Sequence, residues 1–423
     1  MLTLLKLAFR NIFRFKRRTL ITFCSVSVGL ALLIITICLM NGIDKQSISN
    51  IINCQTSHLK IFKQGYFEKR DDLPMDLTIS GPERIRALIK DVPGVVATES
   101  RVLFGTGLIK GADELPCLGV AIQPDVDPGL FNIKESLTAG EWLEPGDAKM
   151  LVGKDLAEDI GLSVGDIVTV RMITSSDKDN FSWNAVDLEV KGIFESGNPT
   201  VDGGRVIIPL AQAMESLGLE NEVTEIVVRL ENDDDKTILT AQNCIKEILK
   251  ASEEKFEVVT WKDLAGVFLA ISEMKTQRSG MIIMIMLVIA SMGIINTMLM
   301  AVFERTREIG MLSALGMKKS EIMKLFIFEG GFIGAIGALL GCILGGLATW
   351  YLEVEGWSIT AFGETFKKIS EAAYPVKDVY YADLTAGVLV MVFLFGVGIS
   401  VLASAYPAWK AAKLDPTEAL RQI

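Results

Sequence analysis

Residues Glu304 to Lys324 read ERTREIGMLSALGMKKSEIMK, and the rest of the chain is organised around them. The stretch lies between two long apolar runs, so it is a short loop held to a membrane at both ends. Ile309, Leu312, Leu315 and Met323 recur at roughly helical spacing, with charges on the other face. That pattern predicts a short amphipathic helix at the membrane surface. A plain connector is the competing reading, and three features argue against it. Gly310 and Gly316 allow close backbone approach or a helix end. Both charge signs are present. The small apolar centre Ala314-Leu315-Gly316 suits insertion into a groove on a soluble partner.

The apolar runs set the topology. Thr19 to Met40 is charge-free over 22 residues, enough to cross a bilayer. It is too long for a typical signal-peptide core, so an uncleaved span is expected. Gly280 to Phe303 and Leu384 to Tyr406 are also charge-free, and Leu325 to Tyr351 holds only Glu329. The predicted spans are 19–41, 279–303, 325–351 and 384–406, with a cytosolic segment at 1–18 and a cytosolic loop at 304–324. An external loop at 352–383 and a cytosolic tail at 407–423 complete the helical part.

Charge orients these spans. Lys6, Arg10, Arg14, Lys16, Arg17 and Arg18 crowd the N-terminus without an acid, among Leu4, Leu5, Ala8, Ile12, Phe13 and Phe15. This reads as a basic amphipathic segment on the cytosolic face, and equally as a positive flank that fixes orientation. The tail carries Lys410, Lys413 and Arg421. Both ends and the central loop are therefore expected in the cytosol, with 42–278 outside. Net charge agrees: the chain is −10, while Gly42 to Arg278 holds 25 basic and 40 acidic residues. The acidic balance argues against a nucleic-acid partner.

Within the third span, Gly330, Gly334, Gly337, Gly341 and Gly345 share a face, beside Gly331 and Gly346. Spacings of four let another helix approach closely, either inside the chain or across a dimer. Glu329 is costly in a bilayer without a partner or a route to water. Its place near the span's end favours snorkelling over a proton relay.

The external segment reads as α+β. A strand at Ser57–Phe62, a helix opened by Gly81-Pro82-Glu83 to about Lys90, and a strand at Val95–Ser100 come first. The same order returns as strand Glu225–Leu230, helix Asp235–Lys250 and strand Phe256–Trp261. Two β-α-β units flanking an insert at about 115–217 suggest a split subdomain whose halves pair in space. Inside the β-rich insert, a helix at Lys154–Ile160 ends at Gly161 and a strand runs over Ile167–Arg171. Met172 to Asn184 is polar and reads as a loop bearing Phe181 and Trp183, before a strand at Asp187–Phe194. That loop is either a hook for another protein or a plain hairpin tip.

Six cysteines show neither a CxxC nor metal-ligand spacing, and His58 cannot build a metal site alone. No GxxxxGK[ST], HExxH or GxSxG motif occurs. The chain is expected to be non-catalytic, with no metal and no cofactor of its own.

The Glu304-Arg305-Thr306-Arg307-Glu308-Ile309-Gly310 run, followed by Leu315-Gly316 and Lys318-Lys319, resembles the coupling helix of the MacB/FtsX-like ABC permease family, which includes the lipoprotein-releasing permeases LolC and LolE. Gly140-Glu141-Trp142, the Gly161–Asp166 turn and Gly192–Gly197 look like recurring phrases of its external domain. The tail, Tyr406–Ala412 and Asp415–Arg421, is similar too, so the likeness covers essentially the whole chain.

The resemblance implies an α-helical membrane protein with four transmembrane helices plus a large extracytoplasmic α+β domain, a split β-α-β part with a β-rich insert. It implies a bacterial inner-membrane permease subunit, with ATP and Mg bound by a separate LolD-like ATPase dimer. A second permease copy or a sister permease would complete the assembly. Glu304, Arg307, Glu308, Ile309, Gly310, Leu312, Leu315 and Gly316 would meet the ATPase. Closure of the ATPase would tilt this loop, and the first and second spans would carry the motion outward as stalks, the second beginning at Asp263–Gly280. Met40, Ile43, Ile48, Val267, Phe268 and Ile271 would line an apolar site for lipid chains, with ordinary helix packing as the competing reading. Phe181 and Trp183 would meet a periplasmic carrier. Lipoprotein release, MacB-type export of peptides or drugs, and FtsX-type signalling are the functions that follow.

Overall fold

The computed structural model describes residues 2–12, 14, 16–111, 113–177, 180–252, 254–358 and 379–415. The expected external loop therefore lies partly, and the motif at Asp415–Arg421 almost wholly, outside the described residues. The chain divides into two units: residues 1–44, 271–357 and 380–423 form one, and residues 45–270 with 358–379 form the other.

The helical unit begins with α1 (Leu2–Ile12) and α2 (Lys16–Ile51). The helix α2 does not stop where its apolar run ends at Met40, and a π-helical turn, Ile52–Thr56, continues it. After the helices α3 to α8 of the second unit, the helical unit resumes with α9 (Gly266–Glu304), α10 (Thr306–Ala314), α11 (Lys319–Val354) and α12 (Ala386–Ala412). Three helical stretches among the described residues are long and apolar enough to cross a membrane: Thr19–Thr56, Lys319–Val354 and Ala386–Ala412. The helix α9 holds a shorter apolar stretch, Ser291–Glu304.

The glycine stripe of α11 is an internal seam. A Cβ on Gly330 or Gly334 would collide with Ser404 or Ser400 of α12, and one on Gly337, Gly341 or Gly345 would press on Val26, Leu30 or Ala31 of α2. Glycine is thus required where two neighbouring backbones close on α11 from different sides. Ser400 and Ser404 turn their hydroxyls to the carbonyls of Gly396 and Ser400, at 2.7 and 2.6 Å, so this polar contact surface is satisfied within its own helix.

The αβ unit is built on a ten-stranded sheet. Its strands and helices in chain order are β1 (Leu59–Lys63), β2 (Ile79–Ser80), α3 (Pro82–Ile89), β3 (Val95–Lys110), β4 (Asp113–Ile122), β5 (Leu137–Gly140), β6 (Lys149–Gly153), α4 (Lys154–Ile160), β7 (Ile167–Asp177) and β8 (Asn180–Phe194). There follow α5 (Pro199–Asp202), β9 (Arg205–Pro209), α6 (Leu210–Leu217), β10 (Glu222–Val223), β11 (Glu225–Leu230), α7 (Asp235–Leu249), β12 (Phe256–Thr260) and α8 (Trp261–Leu264). Two short strands, β13 (Trp357–Ser358) and β14 (Val379–Tyr380), pair with each other.

The two halves of the split part do pair. Strand β1 lies between β12 and β11, all antiparallel, and β11 pairs with β3. Along β11, Ile226, Val228 and Leu230 enter one core with Leu59, Ile61 and Ile85, while Val227 enters a second core on the other face with Phe131 and Phe194. Burial on both faces explains why this strand is nearly continuous in apolar residues. Helix ends follow local chemistry: Asp234 accepts from the Thr237 N–H at 2.9 Å to start α7, and Gly161 (φ 70°) ends α4.

Strand β3 is far longer than the expected Val95–Ser100. It pairs with β11 through Arg101 and with β4 from Val102 onward, so one strand joins the split part to the insert. At this change of partner, Arg101 meets Glu99 at 2.6 Å and also Asp127, while Lys60 meets Glu225 at 2.9 Å, all buried.

Met172–Asn184 is not a loop. Strands β7 and β8 continue through it as a hairpin whose register runs from Ile167↔Glu189 to Asp177↔Asn180, with an irregularity at Ile173–Ser175. Its serines, aspartates and asparagines suit a turn as well as a strand, and cross-strand pairing holds the backbone.

Candidate functional site

The candidate site is the turn between α9 and α11. Arg305 (φ −109°, ψ 15°) leaves helical geometry and separates α9 from α10. The helix then ends at Leu315, and Gly316 takes φ +96°, a left-handed conformation suited to glycine. The Met317 N–H closes the turn on the Leu312 carbonyl at 3.1 Å. The Glu321 carboxylate accepts from the Lys318 N–H at 2.9 Å and starts α11. Met323, read from its spacing as part of the loop helix, lies on α11.

The eight residues predicted to meet an ATPase separate into two faces. Ile309 and Gly310 are buried, Ile309 among Val302, Ile322 and Phe326. Leu312 is half-buried. Glu304, Arg307, Leu315 and Gly316 are exposed, Leu315 to 85%. Met311, one helical turn before Leu315, is exposed as well. Arg307, Met311 and Leu315 thus form an outward ridge, with a cation at one end and apolar side chains at the other.

Glu308 faces the chain itself. One of its oxygens lies 2.6 Å from Arg14 Nη1 and the other 3.2 Å from Arg305 Nε. Burial pushes its carboxyl up, but the hydrogen bonds from Arg305 and Arg14 outweigh this and hold it below the usual carboxylate range. Arg305 also reaches Glu329 of α11 at 3.1 and 3.2 Å, and both of these side chains are buried. Its guanidinium lies 5.8 Å from the centre of the Phe326 ring. Glu329 therefore does not snorkel: it finds a cation inside the helical unit. Arg305 was not singled out by the sequence reading. The signal was available, since a lone carboxylate in a span demands a partner and Arg305 stands just before the loop helix.

The residues expected to line an apolar site lie on α2 and α9. Ile48 and Phe268 are half-buried against the core of the αβ unit. Met40 and Ile43 are half-buried on α2, whereas Val267 and Ile271 are exposed on α9. Asp263 does not belong to a stalk helix: it completes a capping box with Thr260 at the start of α8. Trp183 pairs with Ile173 across the hairpin, is 62% exposed, and lies under Arg171 at 5.3 Å. Phe181 pairs with Ser176 on the same ribbon, and its side chain falls outside the described residues.

A model of the MacB-like periplasmic core domain matches residues 19–242, more than half of the chain. The chain belongs to the MacB/FtsX-like ABC permease family. A second model, the FtsX-like permease C-terminal, matches residues 280–416 and includes α10. Among this family, the lipoprotein-releasing system transmembrane protein LolC of Xylella fastidiosa (strain Temecula1) is 25% identical over 94% of this chain and 92% of its own length. The macrolide export ATP-binding/permease protein MacB of Neisseria gonorrhoeae is 24% identical over 96% of this chain and 59% of its own length. The solved periplasmic region of MacB from Actinobacillus actinomycetemcomitans is 14% identical, with a TM-score of 0.37 over 52% of this chain and 95% of that one.

Proposed function

We propose that this permease is the membrane subunit of an ABC transporter that releases lipoproteins from the bacterial inner membrane. In this reading four helices cross the bilayer, the fourth being the Gly280–Phe303 segment of α9. Both termini and α10 are cytosolic, and the αβ unit is periplasmic. The ridge of Arg307, Met311 and Leu315 docks on a LolD-like ATPase dimer, which binds ATP and Mg. A second permease copy or a sister permease completes the assembly, and exposed Trp183 on the hairpin receives a periplasmic carrier.

The observation that carries the docking reading is Leu315. A large aliphatic side chain stands 85% exposed at the tip of a helix whose inner face is fixed by Ile309. Such a knob is placed to enter a groove on another protein. The release reading draws on the likeness to LolC, along nearly the whole of both chains. The experiment is depletion followed by separation of inner and outer membranes. Acylated lipoproteins accumulating in the inner membrane support release. An unchanged distribution, with new sensitivity to a toxic compound, replaces release by MacB-type export.

A further inference from the structure

We propose that Arg14, Glu308, Arg305 and Glu329 form a positioning chain that carries the displacement of α10 to the first and third spans. The inference rests on the docking reading above and assigns a different task to residues beside the docking ridge.

The geometry is continuous. Arg14 lies in the joint between α1 and α2, and it meets Glu308 of α10 at 2.6 Å. Glu308 meets Arg305, in the joint between α9 and α10, at 3.2 Å. Arg305 meets Glu329 of α11 at 3.1 Å. Charges alternate along the row, so each inner residue has an opposite charge on both sides. The middle contact lies within the first turn of α10, and the outer two tie that turn to the α1–α2 joint and to α11.

Stability alone does not account for this row. An exposed pair such as Arg14–Glu308 contributes little to stability. A buried pair such as Arg305–Glu329 is commonly no more stabilising than well-packed apolar residues of similar size. What such contacts supply is registry: directional bonds at fixed places that apolar packing does not reproduce. They hold α10 in one register against α2 and α11, as transmission of motion through a turn requires. Glu308, expected from sequence to touch the ATPase, instead acts inside the permease.

The test uses the full chain in inner-membrane vesicles with the ABC ATPase that co-purifies with it. Arg14→Gln and Glu308→Gln lie at the exposed end of the row, where folding is least at risk, and Glu329→Gln tests the buried end. The expected result is ATPase co-purification within about twofold of wild type and ATP hydrolysis retained, while release of acylated lipoprotein per ATP falls about tenfold or more. Arg14→Lys, which keeps the charge, restores release. A purely structural role would lower the amount of complex and leave release per ATP unchanged, and that result overturns the proposal. So does a tenfold loss of ATPase binding in Glu308→Gln, which would return this residue to the docking face. Leu315→Glu run in parallel separates the two readings: if that variant keeps the ATPase, the docking reading fails, whatever the positioning variants show.

Discussion

Arg305 sets its guanidinium 3.1 and 3.2 Å from the two carboxylate oxygens of Glu329, and both side chains are almost wholly buried. Each group would be untenable alone in this place. Glu329→Ala leaves Arg305 buried with only the partly exposed Glu308 as a counter-charge, and is expected to cost about 3 kcal/mol, the lower end for a broken buried pair. Replacing both by methionine removes the desolvation problem, so Arg305→Met with Glu329→Met is expected to recover most of that loss. Thermal unfolding of the two variants in detergent checks the ordering. A double variant no more stable than the single would contradict it.

The glycine seam gives a steric prediction. At Gly341 a Cβ would lie 3.0 Å from the Leu30 Cβ and the Ser27 carbonyl oxygen, whereas at Gly346 the nearest atom is the Leu389 Cδ2 at 3.7 Å. Gly341→Leu is therefore expected to push α2 from α11 and reduce the folded protein in the membrane severalfold, by overpacking of roughly 1–3 kcal/mol or more. Gly346→Ala should be tolerated. Membrane yield and melting temperature of the pair decide the matter.

Much of this architecture was legible beforehand, and the reasons differ by region. Charge-free runs mark apolar helices because lipid admits little else, so α2, α11 and α12 were visible as spans. The repeated strand-helix-strand order exposed the split part, since β1, β11 and β12 carry apolar residues that must find a common sheet. The stretch between β7 and β8 fitted either a hook for another protein or a plain hairpin tip, and the paired register from Ile167↔Glu189 to Asp177↔Asn180 shows the hairpin. Spacing found the loop helix but not its division. Ile309 and Leu315 share an apolar character, yet one is buried and the other exposed, and only the break at Arg305 with the end at Gly316 determines which faces out. The Arg305–Glu329 contact joins residues on different helices, where no periodicity could announce it.

His58 gives the αβ unit a pH dependence. Its ring is fully buried: Nδ1 accepts from the Leu230 N–H at 3.1 Å, and Nε2 lies 2.7 Å from Asp233. Burial lowers its pKa below the ordinary 6.5, against the pull of Asp233. The unfolded chain therefore takes up a proton before the folded one does. Stability is expected to decline as pH falls below about 6.5 toward the lowered folded value, and to be flat with respect to this group above it. Melting curves of the full chain between pH 7.5 and about 5 should show the decline, and His58→Gln should flatten that part of the profile even if its overall stability is lower.

Trp183 separates stability from recognition. Because the indole is 62% exposed, Trp183→Ala should change the melting free energy by no more than about 0.5 kcal/mol. If the hairpin receives a carrier, the same variant loses carrier binding by an order of magnitude in a pull-down. Binding at the wild-type level would remove the hairpin from that role.

The most direct measurement is ATPase co-purification with a Leu315→Glu variant of the full chain. Leu315 is 85% exposed, so the variant should reach the membrane in normal amount. At least a tenfold loss of the bound ABC ATPase is expected, with loss of ATP-dependent activity. A variant that holds the ATPase as wild type does would contradict docking at α10, and with it the claim that this ridge couples the permease to its motor.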